Sequence, residues 1–126
     1  MSRVPFIAGN WKMYKSEIEA KNYIDNPSEF MLNFNMDREV MIAPPFTSIS
    51  SVVSAIKKNN IVGKIKAGAQ NLFHKTEGAF TGEVSAMMLK ESEVTHVIIG
   101  HSERREHFFG SDELISLKIE AAIKET

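Results

Sequence analysis

Four short apolar runs recur along this chain at similar spacing: Val4–Ala8, Glu39–Ala43, Ile65–Ala69 and Thr95–Ile99. Each is rich in Val, Ile or Ala, and each ends in small or polar residues. Near-continuous apolar runs suit parallel strands covered on both faces, whereas one-sided antiparallel strands alternate. The segments between them carry a helical period. Ile49, Val52, Val53 and Ile56 fall at i, i+3, i+4 and i+7, one face of a helix. Ile115, Ile119, Ala122 and Ile123 repeat that spacing after Ser111, a good N-cap followed by acids in the first turn. A shorter helix is predicted from Val84 through Met87 and Met88 to Lys90. The first helical region, Ser16–Phe34, is broken at Asn26-Pro27, with Asn26 expected to cap a new start and Pro27 to occupy its first position.

The predicted order is β-α-β-α-β-α-β-α, which means βαβ units, right-handed crossovers and a parallel sheet. Two α/β architectures fit, an open doubly wound sheet or part of a (β/α)8 barrel. A complete barrel takes about 250 residues, so four units in 126 residues would be half of one. Periodicity alone does not choose between them. No linker or low-complexity tract divides residues 1–126, which are expected to form a single partial domain. The final helix runs to Thr126 with no Gly cap, as would either a helix feeding another strand or a frayed C-terminal helix.

Composition excludes several classes. The net charge is −1 with acids and bases interspersed, so neither nucleic acid nor a membrane surface is an expected partner. No apolar run approaches the ~20 residues of a membrane span. The N-terminal Met1–Ala8 stretch is a poor secretory signal, and a cytoplasmic protein is expected. There are no cysteines, which rules out disulfides and thiolate metal sites. No zinc-type His spacing and no Gly-rich nucleotide loop is present.

In parallel βα architectures the site is built at the C-terminal ends of the strands. Those positions are Asn10-Trp11-Lys12, Pro44-Pro45-Phe46, Gln70-Asn71 and His101-Ser102-Glu103-Arg104-Arg105. A loop Lys or Asn is usually only solvated, and a lone His is more often structural than catalytic. His101 differs in its setting, because a helix is expected to begin at Ser102-Glu103. A helix N-terminus disfavours imidazolium, and a neutral imidazole can donate to a carbonyl or enediolate oxygen. Lys12 would supply a fixed positive charge for a phosphate or developing oxyanion. Glu103-Arg104-Arg105 reads most simply as a surface charge cluster, or more sharply as a salt bridge behind the reacting groups. The Gly78–Val84 segment is either a plain surface loop or a projecting one whose exposed Phe80-Thr81 meets a partner subunit.

Asn10-Trp11-Lys12-Met13, Gly68-Ala69-Gln70-Asn71, Gly78-Ala79-Phe80-Thr81-Gly82-Glu83 and Ile99-Gly100-His101-Ser102-Glu103-Arg104-Arg105 strongly resemble triosephosphate isomerase. They stand in that family's order and near its spacing, and the resemblance runs from Phe6 to the final helix. It implies a (β/α)8 TIM barrel, of which this chain supplies about the first four βα units. It implies interconversion of dihydroxyacetone phosphate and glyceraldehyde 3-phosphate through an enediolate, in glycolysis and gluconeogenesis, with no metal or organic cofactor. Carried over by position, Asn10 and Lys12 resemble the substrate-binding pair. His101 resembles the electrophile, and Glu103 the acid beside the lysine. Thr81 resembles the residue that reaches into the neighbouring subunit of a homodimer. A neutral histidine working with a glutamate base is itself a feature of that family, so the helix-terminus reading of His101 agrees with the resemblance without being independent of it.

Three departures stand out. Tyr14 occupies a position where asparagine is common, and the Asn26-Pro27 break and the Asn33-Phe34-Asn35 stretch make the first helical region atypical. The family's base, a glutamate after strand six, and its phosphate-binding loops after strands seven and eight have no counterpart in these 126 residues. The isolated chain is therefore expected to be inactive and to self-associate through its open edges. The leading expectation is a fragment of the isomerase. The alternatives are a non-catalytic half-barrel binding or assembly module, or one half of a split enzyme.

Overall fold

The computed structural model describes residues 3–26, 31–33 and 37–126. Its strands are β1 (Phe6–Asn10), β2 (Glu39–Ala43), β3 (Lys66–Ala69) and β4 (His96–Val97), in spatial order β1-β2-β3-β4 and parallel throughout. The helices are α1 (Glu17–Asp25), α2 (Ile49–Lys58), α3 (Ala86–Glu91), α4 (Ser102–His107) and α5 (Asp112–Lys124), with a 3-10 turn at Phe46–Ser48.

The strands lie where the apolar runs placed them, with altered ends. β1 pairs in register from Phe6↔Glu39 to Asn10↔Ala43, so Asn10 is the last strand residue and not the first of the loop. Pro5 has no N–H to give the ladder, but its carbonyl accepts from Glu39 N at 2.8 Å. β4 is only two residues long, paired Gly68↔His96 and Ala69↔Val97.

The two faces of the sheet are built differently. Successive side chains on a strand alternate faces. Val40 and Ile42 of β2 join the core under the helices, with Ile24 of α1 and Val52, Ala55 and Ile56 of α2. Ala69 and Val97 join a second core with Leu72, Leu89 and Ala122. Glu39, Met41 and Ala43 take the opposite face. There Met41 lies directly over β3: a Cβ on Gly68 would sit 2.3 Å from its sulfur, so a larger residue there would have to displace the Met41 side chain.

That second face is concave. Phe6 of β1 stacks on His96 of β4, with ring centroids 5.1 Å apart. In a flat sheet these strands would be separated by roughly 14 Å, three strand spacings. Curling brings the edges together and leaves a cluster at the N-terminal end of the hollow, where Lys66 pairs with Glu39 and His96 Nε2 lies 3.3 Å from Glu39 Oε1.

Local signals explain the helices. α1 starts with a capping box in which Ser16 and Glu19 each bond the other's backbone N–H. Asn26 closes α1 as a helical C-cap, its N–H donating to Asn22 O, and so does not act as the N-cap expected. Pro27, Phe34 and Asn35 lie outside the described residues. α2 buries Ile49, Val52, Ala55 and Ile56, the face its period predicted with Val53 half-buried at the margin. α5 is capped by Ser111, whose Oγ accepts from Leu114 N at 3.2 Å. Its predicted apolar face is only partly used, because Ile119 and Ile123 are exposed while Ala121 and Ala122 pack. The helix lies at the β4 edge, where the sheet gives half of that face nothing to cover.

Candidate active site

The C-terminal ends of β1, β3 and β4 bring Lys12, Gln70 and His101 to one rim. The loop after β1 is held at several points. Trp11 is buried and its N–H donates to Ala43 O at 3.0 Å. Asn10 Oδ1 accepts from Lys12 N at 2.9 Å. The Gln70 amide donates both to Lys12 O and to Ala43 O, each at 2.8 Å, and Ser48 Oγ donates to Lys15 O at 3.2 Å. These bonds support an unfavourable backbone, since Lys12 (φ 54°) and Lys15 (φ 73°) both lie in the left-handed region. Such a conformation costs of order 1–3 kcal/mol per residue and persists only where the surroundings fix it.

His101 is the N-cap of α4. Its Nδ1 accepts from the backbone N–H of Glu103 at 3.1 Å, which leaves Nε2 to carry the ring proton in the neutral imidazole. The Glu103 side chain turns to Lys12, with Nζ–Oε1 at 2.7 Å, and its other oxygen lies 3.7 Å from His101 Nδ1. One residue therefore links the two expected active groups, His101 through its backbone and Lys12 through its carboxylate. Lys12 holds the Glu103 carboxyl below the usual carboxylate range, chiefly by this hydrogen bond, and the same bond raises the Lys12 ammonium. Both side chains remain half-exposed at the rim, accessible to a ligand.

Of the residues singled out from sequence, Asn10, Lys12, His101 and Glu103 gather at this rim. Glu103 is ion-paired with Lys12 there, with both side chains half-exposed. Thr81 lies elsewhere, exposed at the tip of the loop between β3 and α3. Phe80 beside it is less free than expected, its ring 4.6 Å from that of Phe73. The sequence placed Gln70 at the end of strand three but gave it no task; only the fold shows its amide spanning two strand ends. The buried Lys118, bonded to Asn71 Oδ1 at 2.8 Å, had no signal in a period that put isoleucines on that face. Among the described residues there is no group of three or more His, Asp or Glu able to hold a metal ion, and no helix long and apolar enough to cross a membrane.

Comparison with known proteins sets the chain in a longer frame. The family model for triosephosphate isomerase matches residues 5–126. The triosephosphate isomerase of Carboxydothermus hydrogenoformans is 46% identical over 120 residues, covering 95% of this chain and 46% of the relative. That of Trichodesmium erythraeum is 42% identical over 122 residues, covering 97% and 49%. The crystal structure of triosephosphate isomerase from Bartonella henselae superposes with a TM-score of 0.80 at 34% identity, over 98% of this chain and 48% of that one. The chain spans about half the length of these relatives, and its curled four-stranded sheet is the first half of their TIM barrel. With a family match over nearly its whole length, and with Lys12 and His101 meeting at the rim that a barrel uses, the chain belongs to the triosephosphate isomerase family.

Proposed function

We propose that residues 1–126 form a single partial domain carrying the electrophilic half of a triosephosphate isomerase site. That site interconverts dihydroxyacetone phosphate and glyceraldehyde 3-phosphate through an enediolate, without metal or organic cofactor. The observation that carries this reading is the Glu103 bridge. Its N–H holds His101 in the tautomer that presents Nε2–H outward, and its carboxylate steadies the Lys12 ammonium beside it. When a proton leaves the carbon next to the substrate carbonyl, charge builds on the carbonyl oxygen. Nε2–H donates to that oxygen, and Lys12 offsets both this charge and the phosphate. Fixed donors of this kind act without reorganising during the reaction. Asn10 holds the backbone of Lys12 and lies beside the substrate.

The proton itself must be taken by a base within about 3 Å of the carbon. Among the described residues the carboxylate at this rim is that of Glu103, and it is committed to Lys12. The base belongs to the part of the barrel that the relatives possess beyond the match, and the 126-residue chain alone is inactive. The complete enzyme is a homodimer in which Thr81 enters the partner subunit, and its setting is cytoplasmic glycolysis and gluconeogenesis.

The test is a fusion of residues 1–126 to the remaining half of the Carboxydothermus hydrogenoformans relative. The fusion interconverts the two triose phosphates, and the 126-residue chain shows no turnover above background. A well-folded fusion without activity, or turnover by the short chain within tenfold of the fusion, contradicts the reading.

A further inference from the structure

Apart from the rim just described, the structure holds a polar cavity. It lies between the loop after β3, α4 and the start of α5, and its volume is about 120 Å³. A single water needs only ~10–15 Å³ of such space, so the cavity has room for a small molecule. Its walls include Phe73, Glu83, Arg104, Gly110, Ile115 and Lys118.

The charges in this wall do not balance. Lys118 is 93% buried, at a relative exposure of 7%, yet among the described residues no carboxylate lies within ion-pair distance of it. Its one hydrogen bond goes to a neutral acceptor, Asn71 Oδ1 at 2.8 Å, and an ammonium has three hydrogens to place. Arg104 likewise has no carboxylate partner among the described residues. Its guanidinium lies 4.8 Å from the centre of the Phe108 ring, which leaves its fork of donors unfilled. Arg105 differs, being paired with Asp112 at 2.8 Å. The remaining charge on the wall is Glu83. Two unpaired cations against one carboxylate leave a net charge of +1. Burial first, and Arg104 second, push the Lys118 ammonium below its usual range, with Glu83 opposing them.

We propose that this cavity is a binding site for a small monoanionic carboxylate, held between the Lys118 ammonium and the Arg104 guanidinium. The planar fork of Arg104 matches the two oxygens of a carboxylate, and Lys118 adds a point charge. One negative charge neutralises the wall. A dianion such as inorganic phosphate overshoots it and meets Glu83. Phe73 and Ile115 line the apolar part of the cavity and accommodate a short alkyl group.

The probe is carbon-13-labelled acetate, titrated into the 126-residue protein at fixed ionic strength with chloride as the balancing anion. Line broadening of the ligand signal reports binding whether or not the protein self-associates. Saturable broadening is expected, with a midpoint on the order of 1 mM, the affinity open to a ligand of four heavy atoms. Lys118→Met and Arg104→Gln each weaken it at least tenfold, while Glu83→Gln tightens it severalfold. Far-UV circular dichroism checks the fold. Should Lys118→Met not fold, Arg104→Gln decides, because Arg104 is only half-buried. Unsaturable broadening, equal broadening in wild type and Arg104→Gln, or tighter binding of inorganic phosphate than of acetate overturns the proposal.

Discussion

Lys12 is constrained at both ends of its side chain, and the two constraints predict different failures. At the backbone, Gln70 donates to Lys12 O and Ala43 O. Gln70→Ala leaves those carbonyls without that donor and removes two hydrogen bonds worth about 1 kcal/mol each. In the fusion enzyme it lowers the stability of the β1 loop, seen as faster amide exchange at Trp11–Lys15. At the ammonium, Glu103→Gln keeps the backbone N–H that fixes His101 but loses the ion pair. It lowers kcat/KM by roughly tenfold, whereas Lys12→Met and His101→Gln each cost ~10²–10³, the scale of a lost oxyanion donor. The ion pair also sets a pH dependence. Glu103 is depressed in the folded state, so its contribution is complete above the unfolded value of about 4.3 and is lost as pH falls through the lower folded value. Lys12 is raised, so its share is complete below its unfolded value and is lost only as pH rises through the higher folded one. Lys12 Nζ stays tethered across neutral pH and is released only as pH falls through the depressed carboxyl range of Glu103, which a proton-detected titration of its ε-methylene reads directly.

At the scale of elements, α2 and α5 carry similar apolar periods but do not bury them alike. Ile56 on α2 and Ile24 on α1 are at most 5% exposed, and either Ile→Ala change costs about 2–5 kcal/mol. Ile123 on α5 is 65% exposed, and its truncation stays within about 0.5 kcal/mol. Chemical denaturation of the three variants measures the contrast. It also shows how far the sequence could be read. Period and capping place helices, as Ser111 does by accepting at the start of α5, although α3 begins at Ala86 behind its cap Ser85 and not at Val84 as the period suggested. What covers a face depends on the neighbouring layer, which a period does not encode. The strands divide in the same way. Their positions follow from the apolar runs but their ends do not, since β4 pairs over only two residues of its run. Lys12, His101 and Glu103 were legible because motif and strand-end position coincide. The double role of Gln70 and the burial of Lys118 were not, because they depend on contacts 27 to 58 residues away in the chain.

Across the whole molecule, one face of the sheet is covered by helices and the other is an open hollow. Phe6 and Ile7 on the β1 edge are both about half-exposed, and the two outer strands lack partners on one side. Unpaired parallel edges beside apolar side chains favour association. The 126-residue chain therefore sediments as a mixture of associated species, and fusion to the second half of a relative converts it to a discrete dimer. In that dimer Thr81→Glu, at the exposed loop tip, shifts the equilibrium toward monomer by at least tenfold, as measured by analytical ultracentrifugation. A short chain that remains a monodisperse monomer would contradict this account of the hollow.

The claim beneath all of this is that Glu103 holds His101 with Nε2–H directed to the rim where Lys12 lies. Nitrogen-15 NMR of the imidazole in the fusion enzyme at pH 7, assigned through loss of the signal in His101→Gln, reads it directly. The account predicts a pyridine-like, unprotonated Nδ1 and a pyrrole-like, protonated Nε2, with Nε2 perturbed when a triose phosphate analogue is added. A protonated Nδ1, or an Nε2 indifferent to the analogue, contradicts it.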